Sequence, residues 1–131
     1  MSMTAVACMA MAIFFEARSE PVHGQIAVGN VIMNRVESPK FPNTVCEVVW
    51  QRKQFSFTHD GKSDNIYKHK NIRDVYAAKS AINYAEAIIE GYGRLDLTST
   101  HYHTTYVNPY WNKGMQVEDV IGSHIFYKND Q

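Results

Sequence analysis

Phe14-Phe15-Glu16-Ala17-Arg18-Ser19-Glu20-Pro21, followed by Gly24-Gln25-Ile26-Ala27-Val28-Gly29-Asn30-Val31-Ile32-Met33-Asn34-Arg35-Val36, sets the end of one apolar helical pattern against the start of another. Upstream, Val6, Met9, Ala10 and Ile13 recur at helical spacing, and Glu16 continues that stripe three residues on. Pro21 disfavours helix at Glu20, so the first helix should stop near Ser19. Glu16 then falls in the last turn of a mostly buried helix. Apolar surroundings and the negative end of the helix dipole both disfavour a carboxylate anion, which suits a general acid. The bland alternative is a Glu whose tip reaches solvent, as most do.

Working outward, the second pattern predicts a helix from Gly24 to Val36. Val22, Ile26, Gly29, Met33 and Val36 form its stripe and Val28 and Ile32 widen it, which predicts a central helix. A two-proline turn, Ser38-Pro39-Lys40-Phe41-Pro42-Asn43, comes next, and Thr44 is placed to cap a short helix through Trp50. Gln51 to Ile72 reads as a polar loop with Asp60-Gly61 as its clearest turn. Another helix is predicted from Arg73 to Glu90, with Val75, Ala78, Ile82, Ala85 and Ile89 inward and Gly91 and Gly93 ending it. Glu86 shares that face, although an outward tip is the ordinary reading. From Thr98 to Val107 the Thr, Tyr and His content favours a strand, and Ile121 to Tyr127 reads as a closing strand. Helices first and a small sheet last give an α+β fold.

The 131 residues fit one domain, taken as residues 1–131. Thirteen basic residues balance 13 acidic ones, which argues against a nucleic-acid partner and leaves a neutral polysaccharide open. Cys8 and Cys46 form no CxxC pair; Cys8 is expected to pack as a small apolar residue, and a bridge between the two is left open. The N-terminal stretch lacks the positive start of a signal peptide and is read as the first helix of the fold. No apolar run is long enough for stable membrane insertion.

Four segments together resemble the SleB/CwlJ family of cell-wall hydrolases, which includes spore-cortex-lytic catalytic domains and phage endolysins. They are EARSEPVHGQIAVGNVIMNRV from Glu16, FPNTVCEVVWQRKQFSF from Phe41, STHYHTTYVNPYW from Ser99 and IGSHIFY from Ile121. They occur in the family's order and cover nearly the whole chain. The first two are specific; the others are looser. The resemblance implies a lysozyme or lytic-transglycosylase-like fold, mainly helical with a small C-terminal antiparallel sheet. It implies cleavage of the MurNAc–GlcNAc bond of bacterial peptidoglycan, with the first Glu of the Glu-Ala-Arg-x-Glu motif, Glu16, as catalytic acid. Ser19 stands where many members have Gly, a small change at the helix exit.

Glycosidic cleavage needs a proton on the leaving oxygen and, in the common pairing, a second carboxylate. Glu20, Glu86, Glu118 and Asp119 are the weaker candidates for that partner. One carboxylate suffices if the sugar supplies its own nucleophile, as in lytic transglycosylases, where the muramic-acid C6 hydroxyl closes a 1,6-anhydro ring. That outcome is expected, without a cofactor or metal; a muramidase is the alternative. Strand alternation sends His101 and His103 to one face and Tyr102 to the other, and this segment is read as a groove wall. Glu20, Gln54, Ser56, Asn108 and Trp111 are further candidate glycan contacts.

Two rivals belong to other classes. A zinc hydrolase would draw on His101, His103 and His124, though the HExxH signature is absent. A noncatalytic peptidoglycan-binding module would use the aromatics alone, but binding does not require a Glu on a buried stripe. A monomeric phage-type endolysin is expected, held in the host cytoplasm before release to the wall; a bacterial envelope enzyme is the alternative.

Overall fold

The computed structural model describes residues 3–51 and 71–129. Gln54, Ser56 and the Asp60-Gly61 turn lie outside the described residues. Helix α1 spans Ala5–Ala17, α2 Val22–Glu37, α3 Val45–Val49 and α4 Ile72–Glu90. Strands β1 (His101–Thr104), β2 (Val117–Ile121) and β3 (His124–Tyr127) follow.

The helix ends obey their local chemistry. Thr4 opens α1 by accepting the Ala7 amide at 3.1 Å, and Thr44 accepts the Glu47 amide at 3.2 Å to open α3. Asn71 and Asp74 cap α4 reciprocally, at 2.8 and 2.9 Å. Gly91 closes α4 at φ 102°, a conformation that costs a side-chain-bearing residue energy.

Every residue of α1 from Cys8 to Phe14 is buried, and this helix is the apolar centre of the molecule. Phe14, Met9 and Ile13 pack with Val28 and Ile32 of α2, Val48 and Val49 of α3, and Ala81, Ala85 and Ile88 of α4. Gly29 permits the closest approach: a Cβ there would stand 2.5 Å from Ile88 Cδ1 and 3.2 Å from Ile13 Cδ1. Cys8 packs in the apolar core as expected, and a disulfide joins it to Cys46 in α3, the bridge the sequence left open.

Helix α2 is central, as its wide apolar surface predicted, but its buried face is rotated from the expected stripe. Val22 is exposed, whereas Ala27 and Val31 are buried. The cause is a second, smaller core: Ala27 and Val31 pack on Leu97, Ile121 and Phe126, while Val28 and Ile32 face the helices. Glu86 of α4 is exposed, in line with the outward tip that was its ordinary reading.

The sheet is antiparallel in the order β1-β3-β2. The single closing strand expected from Ile121 to Tyr127 is instead a hairpin turning at Gly122 and Ser123. Gly122 at φ 58° makes that two-residue turn. The chain reaches the sheet along an extended stretch held by side chains of α2. Asn30 donates to the Gly93 carbonyl at 2.9 Å and accepts the Leu95 amide at 2.9 Å. Asn34 donates to the Leu97 and Ser99 carbonyls at 2.8 and 2.9 Å, and Arg35 Nε to the Thr100 carbonyl at 2.8 Å. These bonds satisfy backbone groups that no strand partner reaches.

Candidate active site

Glu16 lies half-buried in the last turn of α1, where the helical body meets the sheet. Tyr102, in the middle of β1, is within electrostatic reach of Glu16. Burial pushes the Tyr102 phenol well above its usual range, and the Glu16 charge pushes it further, opposed by the Arg35 guanidinium. Tyr102 therefore stays a neutral hydroxyl, able both to donate and to accept a hydrogen bond. Its ring stacks on Phe126 at 5.3 Å and meets the His124 ring edge at 5.0 Å.

Arg35 is buried behind this pair. Desolvation lowers its pKa to about 10, partly restored by Tyr102, so it remains a cation at neutral pH. Its guanidinium covers the Phe41 ring at 4.8 Å. Arg35, Asn30 and Asn34 were not singled out from the sequence; their position as polar residues inside an apolar helix is the signal that could have found them.

The alternation predicted for β1 is present, and it divides the candidates. Strand register places Tyr102, Phe126 and His124 on one face and His101, His103 and Tyr127 on the other. His103 is buried, with Nδ1 2.7 Å from the Thr104 carbonyl and Nε2 2.6 Å from the Tyr127 hydroxyl. His101 contacts Thr100 Oγ1 at 3.0 Å and packs between Phe41 and Trp111. Burial lowers its pKa first, with the Arg35 and Lys40 charges adding to the effect. Trp111 closes this cluster with ring centroids 5.4 to 5.8 Å from His101, His103 and Tyr127. Asn108 is exposed and accepts from Asn112 at 2.9 Å. The structure thus brings Tyr102 within electrostatic reach of Glu16, and gathers His101, His103 and Trp111 on the far face. A zinc site built on His101, His103 and His124 would need these rings to converge, and the register sends His124 to the opposite face. Among the described residues no group of three or more His, Cys, Asp or Glu is arranged to hold a metal.

Of the four carboxylates considered as partners for Glu16, Glu20 and Glu118 are engaged elsewhere and Asp119 and Glu86 are exposed. Glu20 accepts the Ser123 amide at 2.8 Å and the Ser123 hydroxyl at 2.5 Å. Glu118 accepts from Thr98 and Ser99, with the Ser99 hydroxyl at 2.6 Å. Asp119 is exposed and accepts the Val120 amide at 2.8 Å; Glu86 is exposed on α4. A cavity of about 550 Å³ lies beside Arg18, Ser19 and the start of α4, on the side of α1 that carries the Arg18–Asp74 ion pair.

A helical body, a small antiparallel sheet and a half-buried Glu between them define an α+β protein of the lysozyme type. Residues 19–127 match the Cell Wall Hydrolase family, and the chain belongs to it. The fold is similar to the catalytic domain of the germination-specific lytic transglycosylase SleB from Bacillus anthracis. That match has a TM-score of 0.73 and 32% identity, covering 98% of this chain and 97% of the other. The catalytic domain of the Bacillus cereus SleB protein matches with a TM-score of 0.68 and 34% identity, covering 95% of this chain and 89% of the other. The spore cortex-lytic enzyme of Bacillus subtilis is 33% identical over 118 residues, 90% of this chain. The chain spans 35% of that relative's length.

Proposed function

We propose that this chain cleaves the glycan strand of bacterial peptidoglycan at the MurNAc–GlcNAc bond as a lytic transglycosylase, with Glu16 as both acid and base. The carrying observation is the half-buried Glu16 in the last turn of α1, within electrostatic reach of the neutral Tyr102, while Glu20 and Glu118 are engaged by Ser123 and by Thr98 and Ser99. A one-carboxylate mechanism fits that arrangement. Glu16 gives its proton to the glycosidic oxygen, the C1–O bond breaks, and its electron pair leaves with the oxygen. The resulting Glu16 carboxylate then takes the proton of the muramic-acid C6 hydroxyl as O6 bonds to C1. The products are a free GlcNAc hydroxyl and a 1,6-anhydro-muramoyl end, with Glu16 reprotonated. Tyr102, a neutral hydroxyl on the sheet side, is suited to hydrogen-bond the sugar across from the acid.

The similarity to the catalytic domain of a lytic transglycosylase supports this outcome. Mass spectrometry of digested peptidoglycan tests it. Anhydro-muropeptides are expected. Reducing-end products would make the chain a muramidase, and binding without release of fragments would make it a noncatalytic module. His101, Trp111 and Asn108 are assigned to contacts with glycan that passes the other face of the sheet, whereas His103, with both ring nitrogens engaged by Thr104 and Tyr127, holds that cluster together; Glu20 is treated below.

The place of action is the cell wall, outside the membrane. The Cys8–Cys46 disulfide supports this, because such bonds persist in oxidising compartments. No described helix is long and apolar enough to cross a membrane. A phage-type origin, with synthesis in a host cytoplasm and later release, predicts that cytoplasmic expression is tolerated; rapid lysis by this chain alone would overturn it.

A further inference from the structure

Glu20 lies four residues beyond Glu16, in the corner between α1 and α2, yet its carboxylate is directed at the sheet. One oxygen accepts the Ser123 amide at 2.8 Å and the other the Ser123 hydroxyl at 2.5 Å. The Glu20 carbonyl is held in turn by Gln25 Nε2 at 3.0 Å, so the corner itself is fixed. The fit on the sheet side is equally close. A Cβ on Gly122 would collide with the Glu20 carboxylate and stand 2.8 Å from Pro21 Cδ, so only glycine admits the turn here. Beyond Ser123, the buried His124 brings Nδ1 to 4.0 Å from Glu20 and its ring edge to Tyr102.

We propose that Glu20 is a positioning residue: it clamps the β2–β3 turn onto the α1–α2 corner and thereby fixes Tyr102 across from Glu16. This rests on the reading of Glu16 as the acid. The helices contact one another extensively and the strands contact one another, but helix-to-strand contacts are sparse. The sheet's position is therefore set by the small second core and by polar ties at the two ends of α2. Asn34 and Arg35 make the tie at the C-terminal end, and Glu20 makes it at the N-terminal end. Burial raises the Glu20 pKa, but the Ser123 hydroxyl, the Ser123 amide and His124 together bring it below the usual carboxylate value, as expected of an anion stabilised by this clamp. The same two bonds engage both oxygens and hold the carboxylate on the turn.

The test compares Glu20→Gln, Glu20→Ala and Ser123→Ala on purified peptidoglycan. Glutamine can accept the Ser123 amide and donate to the Ser123 hydroxyl, so it should recover most of the wild-type rate. Alanine should lower kcat roughly 10- to 100-fold with little change in KM, the signature of misplacement. Ser123→Ala keeps the amide bond and should fall between them; it also carries the test if Glu20→Ala does not fold. An equal loss in Glu20→Gln and Glu20→Ala would overturn the clamp in favour of a required charge, and wild-type kcat in Glu20→Ala would remove any role. A rise in KM alone would make Glu20 a substrate contact instead. The ring resonances of Tyr102 and His124 give a readout independent of activity. They should shift in Glu20→Ala and stay in place in Glu20→Gln. Should Glu16→Gln stay active, the reaction reading fails while these resonances still decide the clamp; unmoved resonances in Glu20→Ala would refute it.

Discussion

The helical body and the sheet are built on opposite principles. The body is held by apolar burial: α1 is enclosed on all sides from Cys8 to Phe14 and cross-linked to α3. The sheet has a much smaller apolar centre, Ala27, Val31, Leu97, Ile121 and Phe126, and is fastened by directional polar bonds from Glu20, Asn34 and Arg35. Apolar burial is insensitive to angle, whereas a hydrogen bond fixes distance and direction. The difference assigns the two halves separate tasks. The body supplies stability and carries Glu16; the sheet supplies placement and carries Tyr102.

Replacing Glu16 with Gln should have the largest effect on activity, a loss of roughly 10²- to 10⁴-fold with unchanged thermal stability. Tyr102→Phe keeps the ring on Phe126 and should lose much less. Equal losses in the two variants, measured by muropeptide release, would show that the halves share the chemistry. In stability, Phe14→Ala should cost about 3–5 kcal/mol by denaturant titration, because Phe14 is fully buried in the larger core. An equally large loss from Leu97→Ala, at the edge of the smaller core, would erase the contrast between the two centres. Reducing the Cys8–Cys46 bond, which closes a separation of 38 residues, should cost about 2–4 kcal/mol and act on the body. If hydrogen exchange instead rose first in the strands, the cross-link would be serving the sheet.

The smallest effect is expected from acid. The folded pKa of Glu20 lies below its ordinary value of 4.5, so its tie is fully present above that value and is lost as pH falls through the folded pKa. His124 acts in the same direction: burial lowers its pKa below 6.5, against the opposing pull of Glu20, so the fold favours the neutral ring and weakens as pH drops below 6.5. Amide exchange in β1 and β3 should therefore rise before exchange in α1 and α2 as the solution is acidified. Simultaneous loosening of both halves would show one cooperative unit.

Much of this molecule is readable along the chain because its causes are local. The α1 stripe ending at Glu16, the stop before Pro21, the Thr44 cap and the Gly91 terminus each depend on residues within one or two helical turns. The alternation of His101, Tyr102 and His103 is equally local, since a strand turns successive side chains to opposite faces. The hairpin at Gly122 was legible in principle from the Gly-Ser pair between Ile121 and His124, but reading Ile121 to Tyr127 as one strand masked it.

What the sequence by itself determined, then, is the four helices, the first strand and the candidate acid. The tertiary structure decided the partners. It placed Ser123 against Glu20 across 103 positions of chain, Thr100 against Arg35 across 65, and Cys46 against Cys8 across 38. It also turned the Tyr102 face of β1, and not the histidine face, toward Glu16. The physical reason is common to all four. Periodicity records which face of an element is buried, but a side chain's partner depends on how separate elements dock. Here that docking follows from two cores sharing α2 and from polar ties between residues distant in sequence.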